Sequence, residues 1–151
     1  MSGKTDFEQV VILIAEDDDG HAELIQELLR EVGVNNDIKR FRDGQELLDF
    51  MFGLGSPSGV INGHSYLLLL DIRMPRVDGT EVLRQMKADA RLQDIPVIML
   101  TTTDDPGEIQ NCYQLGCNCY VTKPVEFEQF TGALKNLGFF LMIMKVPKVD
   151  K

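Results

Sequence analysis

Several things are scarce in this sequence, and each scarcity removes a class of function. Positive charge is one: Lys and Arg total 15 against 24 Asp and Glu, a formal net charge of −9. Phosphate backbones repel such a chain, and no local basic patch reverses the average, so no nucleic-acid partner is expected. Long hydrophobic runs are missing too. The longest, Gly138 to Val146 (GFFLMIMKV), is too short for a bilayer and contains Lys145, so no membrane partner is expected. The opening MSGKTDFEQ has no apolar segment, hence no secretory signal and an expected reducing, cytoplasmic location. Cysteines are few and odd in number: Cys112, Cys117 and Cys119. Their C-x4-C-x-C spacing lacks a fourth metal ligand, because His21 and His64 are far off in sequence. The three read instead as small core hydrophobes. There is no internal repeat and no low-complexity tract.

What is present is ordinary globular material: 151 residues, 44% hydrophobic and 26% charged, enough for one domain that needs no disulfide or structural metal. Five short apolar runs punctuate it, Val10–Ala15, Ile38–Phe41, Tyr66–Leu70, Val97–Leu100 and Cys119–Val121. Several are continuous rather than alternating, as strands buried on both faces should be. Between them lie helical spacings. Leu24, Ile25, Leu28, Leu29 and Val32 share a face before Gly33, and Asp43-Gly44 opens a second helix through Leu47, Leu48 and Met51. Thr80 to Lys87, Glu108 to Leu115 and a segment after Pro124 through Phe127, Phe130, Leu134 and Leu137 complete the set. The order is (βα) five times, which implies a doubly wound parallel sheet with helices on both faces. Gly53 to Ser65 (GLGSPSGVINGHS) reads as an extended surface loop.

In an open α/β sheet, ligands bind beyond the carboxyl ends of the strands. After the first strand come Glu16, Asp17, Asp18 and Asp19; after the third, Asp71; after the fourth, Thr101; after the fifth, Lys123 and Pro124. Capping the next helix needs one acid, Asp18 or Asp19, and not five. Acids this close repel by about 1 kcal/mol per pair at 4 Å in water and several times that when partly buried. A hard divalent cation relieves this, and Mg²⁺ keeps positions for phosphate oxygens. Lys123 supplies the counter-ion, on a peptide constrained by the following proline. Carboxylate, cation site, hydroxyl and ammonium together suit phosphoryl transfer to a carboxylate nucleophile.

These residues give the sequence its similarity to the receiver domains of two-component response regulators (CheY-like). VILIAEDD (11–18), LLLLDIRMPRVDG (67–79), PVIMLTTT (96–103) and YVTKP (120–124) occur in the family's order, across nearly all of residues 10–137. The resemblance implies a flavodoxin-like fold with strand order 2-1-3-4-5. It implies Asp71 as phosphoacceptor and Mg²⁺ held by Asp17, Asp71 and the Arg73 backbone carbonyl, with Glu16 acting through a water. Lys123 is implied as the phosphoryl-binding lysine, Thr101 as the switch hydroxyl and Tyr120 as the switch aromatic. Side chains at the positions of Arg73 and Thr103 tune phosphoryl lifetime in the family. The partner implied is a sensor histidine kinase, and the protein is a phosphoacceptor with slow self-dephosphorylation rather than an enzyme.

A finer resemblance, carried by residues 87–105 and 112–130, is to stand-alone receivers that partner bacterial phytochromes and often form homodimers. On this reading residues 1–9 are a flexible N-terminus, 10–137 the receiver and 138–151 an extension. FFLMIMKVP (139–147) is then the candidate dimer interface, unless it folds back over its own core. Two alternatives share features with this reading, the first its residue types and the second its topology. A haloacid dehalogenase-type phosphatase carries a second Asp two residues after its nucleophile, where this chain has Arg73, and an FMN carrier would place a neutral loop where this chain has four acids. A receiver-like scaffold that is never phosphorylated is the third reading.

Overall fold

A computed structural model describes residues 4–5, 7–53 and 59–149. The main sheet has five parallel strands, β1 (Val11–Ala15), β2 (Ile38–Phe41), β3 (Tyr66–Leu70), β4 (Val97–Thr101) and β5 (Cys119–Thr122). Their spatial order is 2-1-3-4-5, the expected doubly wound arrangement. Position in the sheet accounts for composition. Central β3 (YLLLL) and β4 (VIMLT) are buried throughout, whereas the edge strands β2 (IKRF) and β5 (CYVT) are partly exposed and carry the polar residues.

Side chains alternate across the sheet and divide the core in two. Leu13, Ala15, Leu68, Leu70, Val97 and Met99 face α2 (Gly44–Met51), α3 (Gly79–Lys87) and α4 (Pro106–Leu115). Ile12, Ile14, Leu67, Leu69, Ile98 and Leu100 face α1 (Asp19–Glu31) and α5 (Phe127–Leu141). Each Val, Leu, Ile or Met among them, fully buried, contributes about 1.5–3 kcal/mol, which is why the short apolar runs dominate the fold. Four helices start on an aspartate that accepts a hydrogen bond from the backbone three residues on: Asp18, Asp43, Asp78 and Asp105. Glu126 opens α5 without such a bond.

The ends differ from expectation. The N-terminal residues, expected to be flexible, include a 3-10 turn at Phe7–Gln9 with Phe7 buried, and Lys4–Thr5 pairs antiparallel with Val146–Pro147. The fifth helix does not stop at Leu137 but runs to Leu141. Gly138 lies where α5 meets α1, and a Cβ there would come within 2.5 Å of Val32 Cγ2, so this glycine serves close approach and not termination. Beyond the helix the chain folds back over its own core: Val146 and Val149 are buried. Of the loop expected at 53–65, residues 54–58 lie outside the described residues. The rest is held down, Gly63 N–H donating to Val149 O and Val149 N–H to His64 O.

Candidate phosphoryl-acceptor site

Strand register brings the polar residues together. Ala15 pairs with Leu70, so the next residues, Glu16 and Asp71, emerge side by side, and Asp71 N–H donates to Ala15 O at 3.1 Å. Thr101 pairs with Thr122, and Lys123 N–H donates to Thr101 O at 2.7 Å. Residues more than a hundred positions apart are thus fixed by backbone bonds on one rim of the sheet.

Glu16, Asp17 and Asp71 each offer a carboxylate oxygen within 4.8 Å of the others. Glu16 and Asp71 are buried and Asp17 is exposed, a set with a wet side. Burial raises the Glu16 carboxyl to about 7, more than the neighbouring Lys123 ammonium offsets. Lys123 is itself only 2% exposed. Its Nζ donates to Glu16 Oε1 and, at 3.3 Å, to Asp71 Oδ2. Among the described residues, two buried side-chain oxygens have no hydrogen-bond partner: Asp71 Oδ1 and Thr101 Oγ1. An unsatisfied buried polar atom costs about 1–3 kcal/mol, so both atoms mark a place built for a further group. Three converging carboxylate oxygens, one open to solvent, fit a hard cation that retains water.

The other acids go elsewhere. Asp18 caps α1 by accepting from His21 N–H at 2.9 Å. Asp19 accepts from Arg40 Nη1 at 2.7 Å and Arg42 Nη1 at 2.9 Å, facing β2 instead of the cluster. The Arg73 side chain, at the rim, pairs with Glu108 of α4 at 3.2 Å. Tyr120 is half-buried, its Oη donating to Thr103 O at 2.7 Å, and burial pushes its phenol up to about 12. One residue of the site has no counterpart in the sequence reading: His21, whose Nδ1 lies 3.4 Å from Lys123 Nζ. Its only sequence signal is its place on the first turn of the helix that follows the acidic strand end.

The model for the response regulator receiver domain matches residues 12–135. A receiver domain from Rhodospirillum rubrum superposes with a TM-score of 0.88 at 43% identity, covering 93% of this chain and 99% of that one. Response regulator Rcp1 of Synechocystis sp. is 34% identical over 138 residues, 91% of this chain and 92% of Rcp1. The Mn²⁺-bound form of Rcp1 superposes with a TM-score of 0.80 at 31% identity, covering 91% of this chain and 98% of that one. The phosphorylated cyanobacterial phytochrome response regulator RcpA superposes with a TM-score of 0.79 at 30% identity, again covering 91% and 98%. With its strand order, its rim of acids and its lysine, this chain belongs to the response regulator receiver domain family.

Proposed function

We propose that Asp71 accepts a phosphoryl group from the phosphohistidine of a sensor kinase, and that the chain acts as a phosphorylation-controlled switch. The observation that carries this reading is Asp71 itself, buried beside Lys123 with one carboxylate oxygen lacking any partner among the described residues. In the transfer a new Oδ–P bond forms on Asp71 as the N–P bond of the donor breaks, and the donor imidazole leaves with the electron pair. Lys123 donates to the arriving oxygens, which spread the charge of the transferred group. Thr101 Oγ1, buried and unpartnered, turns its hydroxyl to the same group. Tyr120 then exchanges its bond to Thr103 O for a new position on the face formed by α4, β5 and α5. Asp17, Asp71 and the Arg73 carbonyl would hold Mg²⁺ with Glu16 acting through water, and the ion would neutralise charge on the transferred oxygens. The shift in partner preference is limited to the differential affinity of the phosphoryl group for the two states.

The partner class is a sensor histidine kinase, and likeness to phytochrome response regulators supports a phytochrome-type kinase working in the cytoplasm. No helix among the described residues is long and apolar enough to cross a membrane. A second copy of this chain is the expected partner for Phe139, Phe140, Met142 and Ile143, which stay exposed where Leu141 and Val146 are buried. Residues 10–137 carry the switch, and residues 138–149 of the extension both seal the core and present this patch. Incubation with Mg²⁺ and phosphoramidate, followed by intact mass, tests the reading. One phosphoryl adduct on the native chain and none on Asp71→Asn supports it; no adduct on either sinks it.

A further inference from the structure

An ammonium group carries three N–H donors and no acceptor. Lys123 Nζ has three acceptors arranged around it: Glu16 Oε1, Asp71 Oδ2 at 3.3 Å and His21 Nδ1 at 3.4 Å. Because the ammonium can only donate, a bond between the two nitrogens requires the His21 tautomer with its lone pair on Nδ1 and its proton on Nε2. Two contacts place this residue on the first turn of α1 and against α5. Its backbone N–H is tied to Asp18 Oδ1 at 2.9 Å, and its edge packs on Phe130 of α5 with centroids 5.5 Å apart and planes at 79°.

We infer that His21 is a positioning residue for phosphoryl transfer, its Nδ1 acting as the third acceptor that aims the Lys123 ammonium at the group arriving on Asp71. This rests on Asp71 being the phosphoacceptor. Without a phosphoryl group, each of the three N–H bonds has its own acceptor. When Asp71 is phosphorylated, the N–H directed at its carboxylate turns to a phosphoryl oxygen, and Glu16 and His21 keep the other two. Without His21 the ammonium has one anchor besides Asp71, the buried Glu16, and settles toward it. The line of approach for the phosphoryl group is then no longer fixed. The imidazole reaches this place from α1 and is backed by α5, so two helices outside the acidic rim set the direction of a charge inside it.

Two substitutions separate this role from packing. His21→Phe keeps the edge contact with Phe130 and removes the acceptor; His21→Asn keeps a side-chain acceptor close to the Nδ1 position and removes the ring. Phosphorylation of Asp71 by phosphoramidate with Mg²⁺ is followed over a range of donor concentrations. The Phe variant is expected to lose about tenfold in maximal rate, the scale of a hydrogen bond to a charged group, with the donor concentration at half-maximal rate nearly unchanged. The Asn variant is expected to stay within a small factor of the native rate. Equal rates in all three proteins, or loss in Asn with none in Phe, would overturn the assignment. If the native chain takes up no phosphoryl group, the proposed function fails and His21 is judged separately. Its ¹⁵N imidazole signals at mildly alkaline pH, assigned with His64→Gln, then decide between an unprotonated Nδ1, as required, and an Nδ1–H tautomer, which excludes it.

Discussion

At the scale of single residues, the site spends stability on readiness. Thr101 Oγ1 is buried and unpartnered among the described residues, at a cost of about 1–3 kcal/mol. Thr101→Val is therefore expected to raise the urea midpoint of the unphosphorylated protein by an amount equivalent to about 1 kcal/mol. The same variant should lose the structural response to phosphoramidate, read by amide chemical shifts around Tyr120. Cys117 shows the opposite arrangement, a group kept silent. Burial pushes its thiol up to about 11, whereas an unfolded cysteine titrates at about 8.5. The folded state therefore disfavours the thiolate. The stability this contributes is whole below the unfolded value and is lost as pH rises toward the folded one. Between those limits the native chain should lose Tm faster than Cys117→Ala, and native Cys117 should alkylate more than tenfold slower than the unfolded thiol. Strand-end residues such as Asp71, Thr101 and Lys123 were readable from sequence because parallel strands must share a rim. The diversion of Asp19 was not, since it depends on Arg40 and Arg42 reaching across from β2. His21 was hidden for the same reason: its partner is 102 positions away.

Elements meet the site through their starts. Asp78 caps α3 and Gly79 is its first residue, where an added Cβ would lie 2.1 Å from the carbonyl oxygen of Asp71 itself. The helix start is thus pressed against the backbone of the phosphoacceptor, with Gly79 N–H donating to Ile72 O at 2.8 Å. Gly79→Ala should cost about 1–3 kcal/mol through overpacking, measured by urea unfolding, and should also slow phosphorylation, because relief requires Asp71 to move. Asp43 works twice, capping α2 through Glu46 N–H at 2.8 Å and accepting from Arg76 Nε at 3.0 Å and Nη2 at 3.1 Å. Arg76 has φ +67°, a left-handed conformation costly outside glycine, so this bidentate pair holds the loop after Asp71 in a strained turn. Asp105→Ala should cost about 1 kcal/mol as a lost cap on α4. The starts of α1 and α2 could be anticipated from Asp18 and Asp43, whereas α3 and α4 begin at Gly79 and Pro106, ahead of the apolar spacing that places them at Thr80 and Glu108, because the caps Asp78 and Asp105 follow proline-rich or polar turns with no apolar period. The end of α5 could not be anticipated, because Gly138 looks the same in sequence whether it stops a helix or admits Val32.

The whole molecule has two rims with separate duties. The carboxyl ends of the strands carry the acids, the hydroxyl and the lysine. The opposite rim is closed by the terminal segments: Asn36 Nδ2 donates to Val10 O at 2.7 Å, and Val149 exchanges hydrogen bonds with Gly63 and His64. Removing residues 146–151 uncovers the sites of Val146 and Val149, each worth about 1.5–3 kcal/mol when fully buried. A marked drop in Tm with phosphorylation of Asp71 still measurable below that temperature is expected. The charge of −9, which first argued against nucleic acid, is divided the same way between a few acids at one rim and acids spread over the helices, where they favour solubility. Pairing of Lys4 with Pro147 sets the two ends of the fold side by side. A circular permutant, with these ends joined by a short linker and new ends opened at the exposed Ala90 turn, should therefore fold to the same sheet and leave the Asp71 rim uncut.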